Sequence, residues 1–178
     1  MLRFSGLLLV IALLSCSLVA QDNSAPKTSV PTDIYQRWLN EDVAYIIAPE
    51  ERAAYLRLTT KDERDHFIVQ FWLRRDPTPG TSENEFKEEH YRRIAYSNAN
   101  LADSRPGWKT DRGRIYILYG PPDEIRALPA EVNGGPKHPT QVWKYNPGKE
   151  FRFIDNCNCG TYELDNAYEK SLWPDQKS

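Results

Sequence analysis

The patterns along this 178-residue chain predict an α+β domain, with helices in its first half and an antiparallel sheet of about four strands in its second. Three observations carry that prediction. Between residues 33 and 101 apolar side chains recur at helical spacing behind capping signals. From residue 114 short runs of β-branched and aromatic residues alternate with Gly/Pro turns. No internal repeat divides residues 33–165, so a single domain is expected there, followed by a tail over 166–178.

The elements follow in order. Ile34, Trp38 and Leu39 place a helix over 33–45. Pro49, with Glu50 and Glu51 behind it, opens a second helix to about residue 57, because proline suits a first turn and acids favour its positive end. Thr60-Lys61-Asp62-Glu63 is a capping box, and the helix after it sets Phe67, Ile68, Phe71 and Trp72 on one face. Asp76-Pro77-Thr78-Pro79-Gly80 ends that helix. Ser82-Glu83-Asn84-Glu85 reads as a second capping box, starting a helix over 83–100 with Phe86, Tyr91, Ile94 and Leu101 along one stripe. Arg114-Ile115-Tyr116-Ile117-Leu118-Tyr119 reads as a strand broken by Gly120-Pro121-Pro122-Asp123. Further strands are expected over 124–128, 141–145 and 150–155, and a short one over 162–164. Residues 129–139 form a Gly/Pro-rich loop, and Asn146-Pro147-Gly148 is a hairpin turn. The period of two puts Phe151 and Phe153 on one face, and Val142 and Trp143 on opposite faces.

Composition narrows the function classes. Five Trp and ten Tyr belong to a chain that folds, not a disordered one. A net charge of −2 gives no long-range pull toward nucleic acid. The N-terminus stands apart: Arg3 precedes an uncharged apolar run over 6–14, shorter than the about 20 residues that span a bilayer. This predicts an export signal over 1–20, followed by a polar linker over 21–32. Two processing routes stand. Leu13-Leu14-Ser15-Cys16 resembles a lipobox, which would remove 1–15 and lipidate Cys16, giving a membrane anchor. Leu18-Val19-Ala20 before Gln21 resembles an ordinary cleavage site. The expected location is outside the cytoplasm: periplasmic, anchored at the outer membrane, or secreted.

Catalytic signatures are sparse. The chain has no His-Glu-x-x-His, no Gly-x-Ser-x-Gly, and no phosphate or dinucleotide loop, so no cofactor is expected. His66, His90 and His138 are scattered, although the first two lie on predicted helices that can meet in space. Cys157 and Cys159 are open to two readings, a disulfide or two thiols; a metal site joining them to a histidine has weak support, and none is assigned. Glu83, Glu85, Glu88 and Glu89 read as a solvated helix face. Arg74, Arg75, Arg92, Arg93, Arg105, Arg112 and Arg114 are candidates for an anion-binding surface, against which stands ion pairing with nearby acids, Asp76 for Arg74 and Arg75 in particular.

The most distinctive segment is Gly107-Trp108-Lys109-Thr110-Asp111-Arg112-Gly113-Arg114, with Gly120-Pro121-Pro122-Asp123 after it. Together with Trp38-Leu39, Phe71-Trp72, Arg74-Arg75-Asp76-Pro77, Asn84-Glu85-Phe86, Trp143-Lys144-Tyr145 and Phe151-Arg152-Phe153, it resembles the GWxTD domain family of exported bacterial proteins over about residues 33–165. That resemblance implies a compartment and a fold, not a reaction; Cys157-Asn158-Cys159 departs from it. A looser similarity joins the Gly-Pro-Pro-Asp segment and its following strands to the small lipoproteins of outer-membrane protein assembly.

Two readings of the motif remain. As a structural lock, Gly107 takes positive φ, Trp108 plugs the helix–sheet interface, Thr110 and Asp111 accept backbone N–H groups, Arg112 or Arg114 pairs with Asp111 or Asp123, and Gly113 leads into the strand. As a ligand or hydrolase site, Asp111, Asp123 and the arginines converge on a cleft. The first reading fits a non-enzymatic interaction or structural module of the cell envelope, docking an envelope protein through a sheet face with Trp143, Tyr145 or Tyr119.

Overall fold

The computed structural model describes residues 33–130 and 136–167. The export segment with Cys16, the linker, the centre of the 129–139 loop and most of the tail lie outside the described residues.

Among the described residues, five α-helices precede a four-stranded sheet. α1 (Ile34–Arg37) begins under the Asp33 cap and widens into a π-helical turn over Trp38–Asp42. α2 (Pro49–Leu56) starts on its proline. α3 (Lys61–Leu73) starts on the predicted capping box, with Thr60 accepting the Glu63 N–H and Glu63 accepting the Thr60 N–H. α4 (Glu85–Asn100) begins two residues later than expected, because Asn84 supplies the cap by accepting the Lys87 N–H. None of these helices is long and apolar enough to cross a membrane.

The run over 114–119, expected as the first strand, is helical. Residues 111–119 form a helix, α5 (Asp111–Tyr119), capped by Thr110 and stopped by Gly120 at φ +82°. Alternating burial of Gly113, Ile115 and Ile117 mimics a strand, but it arises because α5 is covered on two sides. Ile115 joins the sheet core, Ile117 faces α4, and Tyr116 stacks on Tyr96 of α4 at 4.3 Å between ring centres.

The sheet is β1 (Glu124–Leu128), β2 (Thr140–Tyr145), β3 (Lys149–Ile154) and β4 (Glu163–Leu164), antiparallel throughout in the order β1-β2-β3-β4. Its helix-facing rows read Ile125–Trp143–Phe151 and Ala127–Gln141–Phe153–Leu164. Val142 and Trp143 do lie on opposite faces, yet both are buried; on the outer face Val142 sits between Arg126 and Arg152 in the register.

Two apolar clusters result. Trp38, Leu39, Val43, Tyr55, Phe71 and Trp72 fill the helical one. Leu101, Ile115, Trp143, Tyr145, Phe151, Phe153 and Leu164 fill the one under the sheet. α4 serves both: Tyr91 packs on the first, and Leu101 at its C-terminal end belongs to the second.

Candidate functional site

The motif forms the corner between α4 and α5, and its glycines are central there. A Cβ built on Gly107 would overlap the Ser97 carbonyl of α4 and reach within 2.8 Å of the Asn98 Cα. A Cβ on Gly113 would in turn overlap the Gly107 carbonyl. The corner is thus three backbones pressed together, Ser97 on Gly107 and Gly107 on Gly113. Gly107 is not among the positive-φ glycines, so its role is close approach and not left-handed backbone, and Gly113 lies inside a helix.

Thr110 fastens the corner from within. Its hydroxyl, wholly buried, accepts the Gly113 N–H at 3.0 Å and sits 2.8 Å from the Gly107 carbonyl and 3.1 Å from that of Leu101. Asp111 reaches the other way. Its carboxylate accepts the Leu164 N–H at 2.8 Å, binding the first turn of α5 to edge strand β4, and it pairs with Arg114 at 3.5 Å. Trp108 is half-buried and does not plug the helix–sheet interface. It leans on Tyr45 across 6.1 Å, its N–H donates to Asn98, and its carbonyl accepts the Tyr45 hydroxyl.

The second half of the motif closes the far end of α5. Tyr145 donates its hydroxyl to the Gly120 carbonyl, Pro121 and Pro122 carry the chain across, and Asp123 accepts the Asn146 N–H at the β2–β3 turn. Asp111 and Asp123 therefore stand at opposite ends of α5, engaged by backbone in different places.

The candidate arginines divide in the same way. Arg74 and Arg75 converge on Glu51, not Asp76; Arg92 and Arg93 share Glu89; Arg105 holds Asp103. Arg112 pairs with neither Asp111 nor Asp123: it stacks on Tyr162 at 4.4 Å and its Nε is buried without a hydrogen-bond partner. Burial lowers the Arg112 pKa from its ordinary value.

A cleft of about 120 Å³ lies between α4 and α5, lined by Ile46, Phe86, Glu89, His90, Arg93, Ile117 and Leu118. His90 is 4% exposed, its Nε2 is 2.6 Å from the Asp42 carbonyl, and burial lowers its pKa. His66 is exposed and lines a different groove, so the two histidines do not meet. Cys157 and Cys159 are joined in a disulfide. Asp155 lies within 4.8 Å of both sulfurs, but disulfide sulfurs are not the thiolates a metal takes.

Sequence reasoning missed Ser97, Glu51 and Leu164. Ser97 and His90 are the buried residues of α4, seven apart, in place of the apolar stripe that the sequence predicts. The available signal was the small residue at that spacing.

What these contacts define is a helical layer latched to a small antiparallel sheet through a corner of close backbones. The chain belongs to the GWxTD domain family, whose model matches residues 14–169. No curated protein and no solved structure matches it, so the similarity to outer-membrane assembly lipoproteins is without support.

Proposed function

We propose that the protein is an exported cell-envelope component acting as a non-enzymatic interaction or structural module, in which the Gly107–Asp123 segment holds the fold together. One observation carries this reading: the polar side chains that make the motif distinctive, Thr110, Asp111 and Asp123, are all engaged by the chain's own backbone, at both ends of α5. A side chain so engaged ties together the elements whose backbone it holds. The docking face expected on the sheet needs revision, since Trp143 and Tyr145 are buried and Tyr119 alone of the three is exposed.

Export rests on the apolar run at 6–14 and its polar sequel. Processing at Cys16 makes a lipid-anchored protein whose membrane contact is the acyl chain; processing after Ala20 makes a free one. Mass spectrometry of the mature N-terminus, combined with cell fractionation, tests this. The expected result is an envelope-fraction protein beginning at lipidated Cys16 or at Gln21. Cytosolic protein retaining Met1 overturns it. Affinity capture of the tagged protein from solubilised envelopes then asks for the partner.

A further inference from the structure

The helical layer stops short of one sheet edge. In the row Ile125–Trp143–Phe151, Trp143 and Phe151 are 2% and 1% exposed, whereas Ile125 is 55% exposed. At the opposite edge the Leu164 N–H of β4 is taken by Asp111. β1 differs: its first four residues are exposed, and among the described residues it pairs with β2 alone. An edge with unpaired backbone groups and a bare apolar residue is a template for another strand.

The outer face says which strand. Glu150, Lys144 and Glu124 form a ladder of alternating sign, with ion pairs of 3.7 and 3.2 Å. Within one copy Arg126 also reaches its own Glu124 at 3.3 Å, both side chains lying exposed on the outer face; a further strand that extends the ladder sets a cation beside Glu124 and an anion beside Arg126. β1 itself carries that pattern. An antiparallel copy centred on Ile125 sets Ile125 against Ile125, Glu124 against the second copy's Arg126, and Arg126 against its Glu124. Centring on Glu124 or on Arg126 would oppose like charges, and centring on Ala127 would set Arg126 against Leu128 and Glu124 against Ala130, so the Ile125 register is the one that pairs both charges.

We propose that two copies of this chain pair edge to edge through β1, antiparallel about Ile125, making one sheet from four strands of each. This rests on the reading of the protein as an interaction module and names a second copy as a partner. The twofold arrangement is isologous and closed, burying both Ile125 side chains and leaving neither β1 edge free.

Charge exchange tests it. Glu124→Arg sets arginine against Arg126, and Arg126→Glu sets glutamate against Glu124. In sedimentation velocity on the chain as cells make it, the unmodified protein should sediment as a dimer. Each single variant should dissociate about 30-fold more readily, from two ion pairs turned repulsive. Mixing the two variants, or combining both changes in one chain, should restore the dimer. A monomeric unmodified protein, single variants that dimerise like it, or mixing without effect each overturn the proposal. Independently of these variants, Ile125→Cys should give a reducible covalent dimer under mild oxidation and Arg126→Cys should not, since its partner in this register lies two residues off; the reverse pattern overturns the register. An envelope partner captured from a chain that remains monomeric would sink self-pairing while leaving the module reading intact.

Discussion

The helical half and the motif corner reach stability by different means. In the helical half, large side chains interdigitate: Trp38 meets Phe71 edge-on at 5.2 Å, and Phe71 meets Trp72 at 5.0 Å. A charged knot closes it, with Glu51 held by Arg74, Arg75 and the Ala48 N–H while Arg75 also caps the Phe71 ring at 3.6 Å. At the corner the essential atoms are the ones missing from Gly107 and Gly113. Side-chain cores can relax around a change; backbones in contact cannot. The helical half should therefore show graded, pH-sensitive losses, and a carbon added at either corner glycine an abrupt, pH-independent one.

The largest effect is expected for Gly107→Ala. The added carbon overlaps backbone, not the end of a flexible side chain, so the loss should exceed the about 1–3 kcal/mol of ordinary overpacking. Gly80→Ala is the control: Gly80 is at φ +102° with open space around it, and strain alone should cost about 1–2 kcal/mol. Urea denaturation of both separates the terms; equal losses would erase the contrast. Next comes Glu51→Gln, expected to cost about 2–3 kcal/mol at pH 7. Hydrogen bonds from Arg75, foremost, and from Arg74 and Ala48 hold the Glu51 carboxyl at about 2. A depressed carboxyl stabilises the fold above its unfolded pKa of about 4.3, and that contribution fades as pH falls toward about 2. Unfolding midpoints at pH 7 and pH 3 should therefore differ less in Glu51→Gln than in the unmodified protein. An identical acid limb in both would remove Glu51 from the account.

These two regions were also unequally legible in the sequence. Trp38, Phe71 and Trp72 were readable because helical periodicity reports one buried face, and that region has one. α5 has two, Ile115 serving the sheet and Ile117 facing α4, and its β-branched and aromatic residues carry strand propensity that this packing overrides. Thr110 and Gly120, read in sequence as a turn acceptor and a strand breaker, are the helix's cap and stop. The reach of Asp111 to Leu164, 53 residues away, leaves no local trace, nor does the choice of Glu51 over Asp76 for Arg75. Both depend on which elements tertiary packing brings together.

Within the corner, two side chains probe whether the hydrogen bonds matter beyond the glycines. Thr110→Val keeps shape but removes the helix cap and leaves the Gly113 N–H without its acceptor, for a loss of about 2 kcal/mol. Asp111→Ala should cost less, about 1 kcal/mol, since Asp111 is only partly buried and binds two-residue strand β4 at the sheet margin. Its signature is local: hydrogen exchange at the Leu164 amide should accelerate while the amides of β2 and β3 change little. Asp111→Asn retains an acceptor oxygen and should restore much of that protection. If Asp111→Ala leaves both the melting temperature and the Leu164 exchange rate unchanged, Asp111 is not part of the lock. Its place at the start of α5 would then need another explanation, and a ligand would be the first to look for.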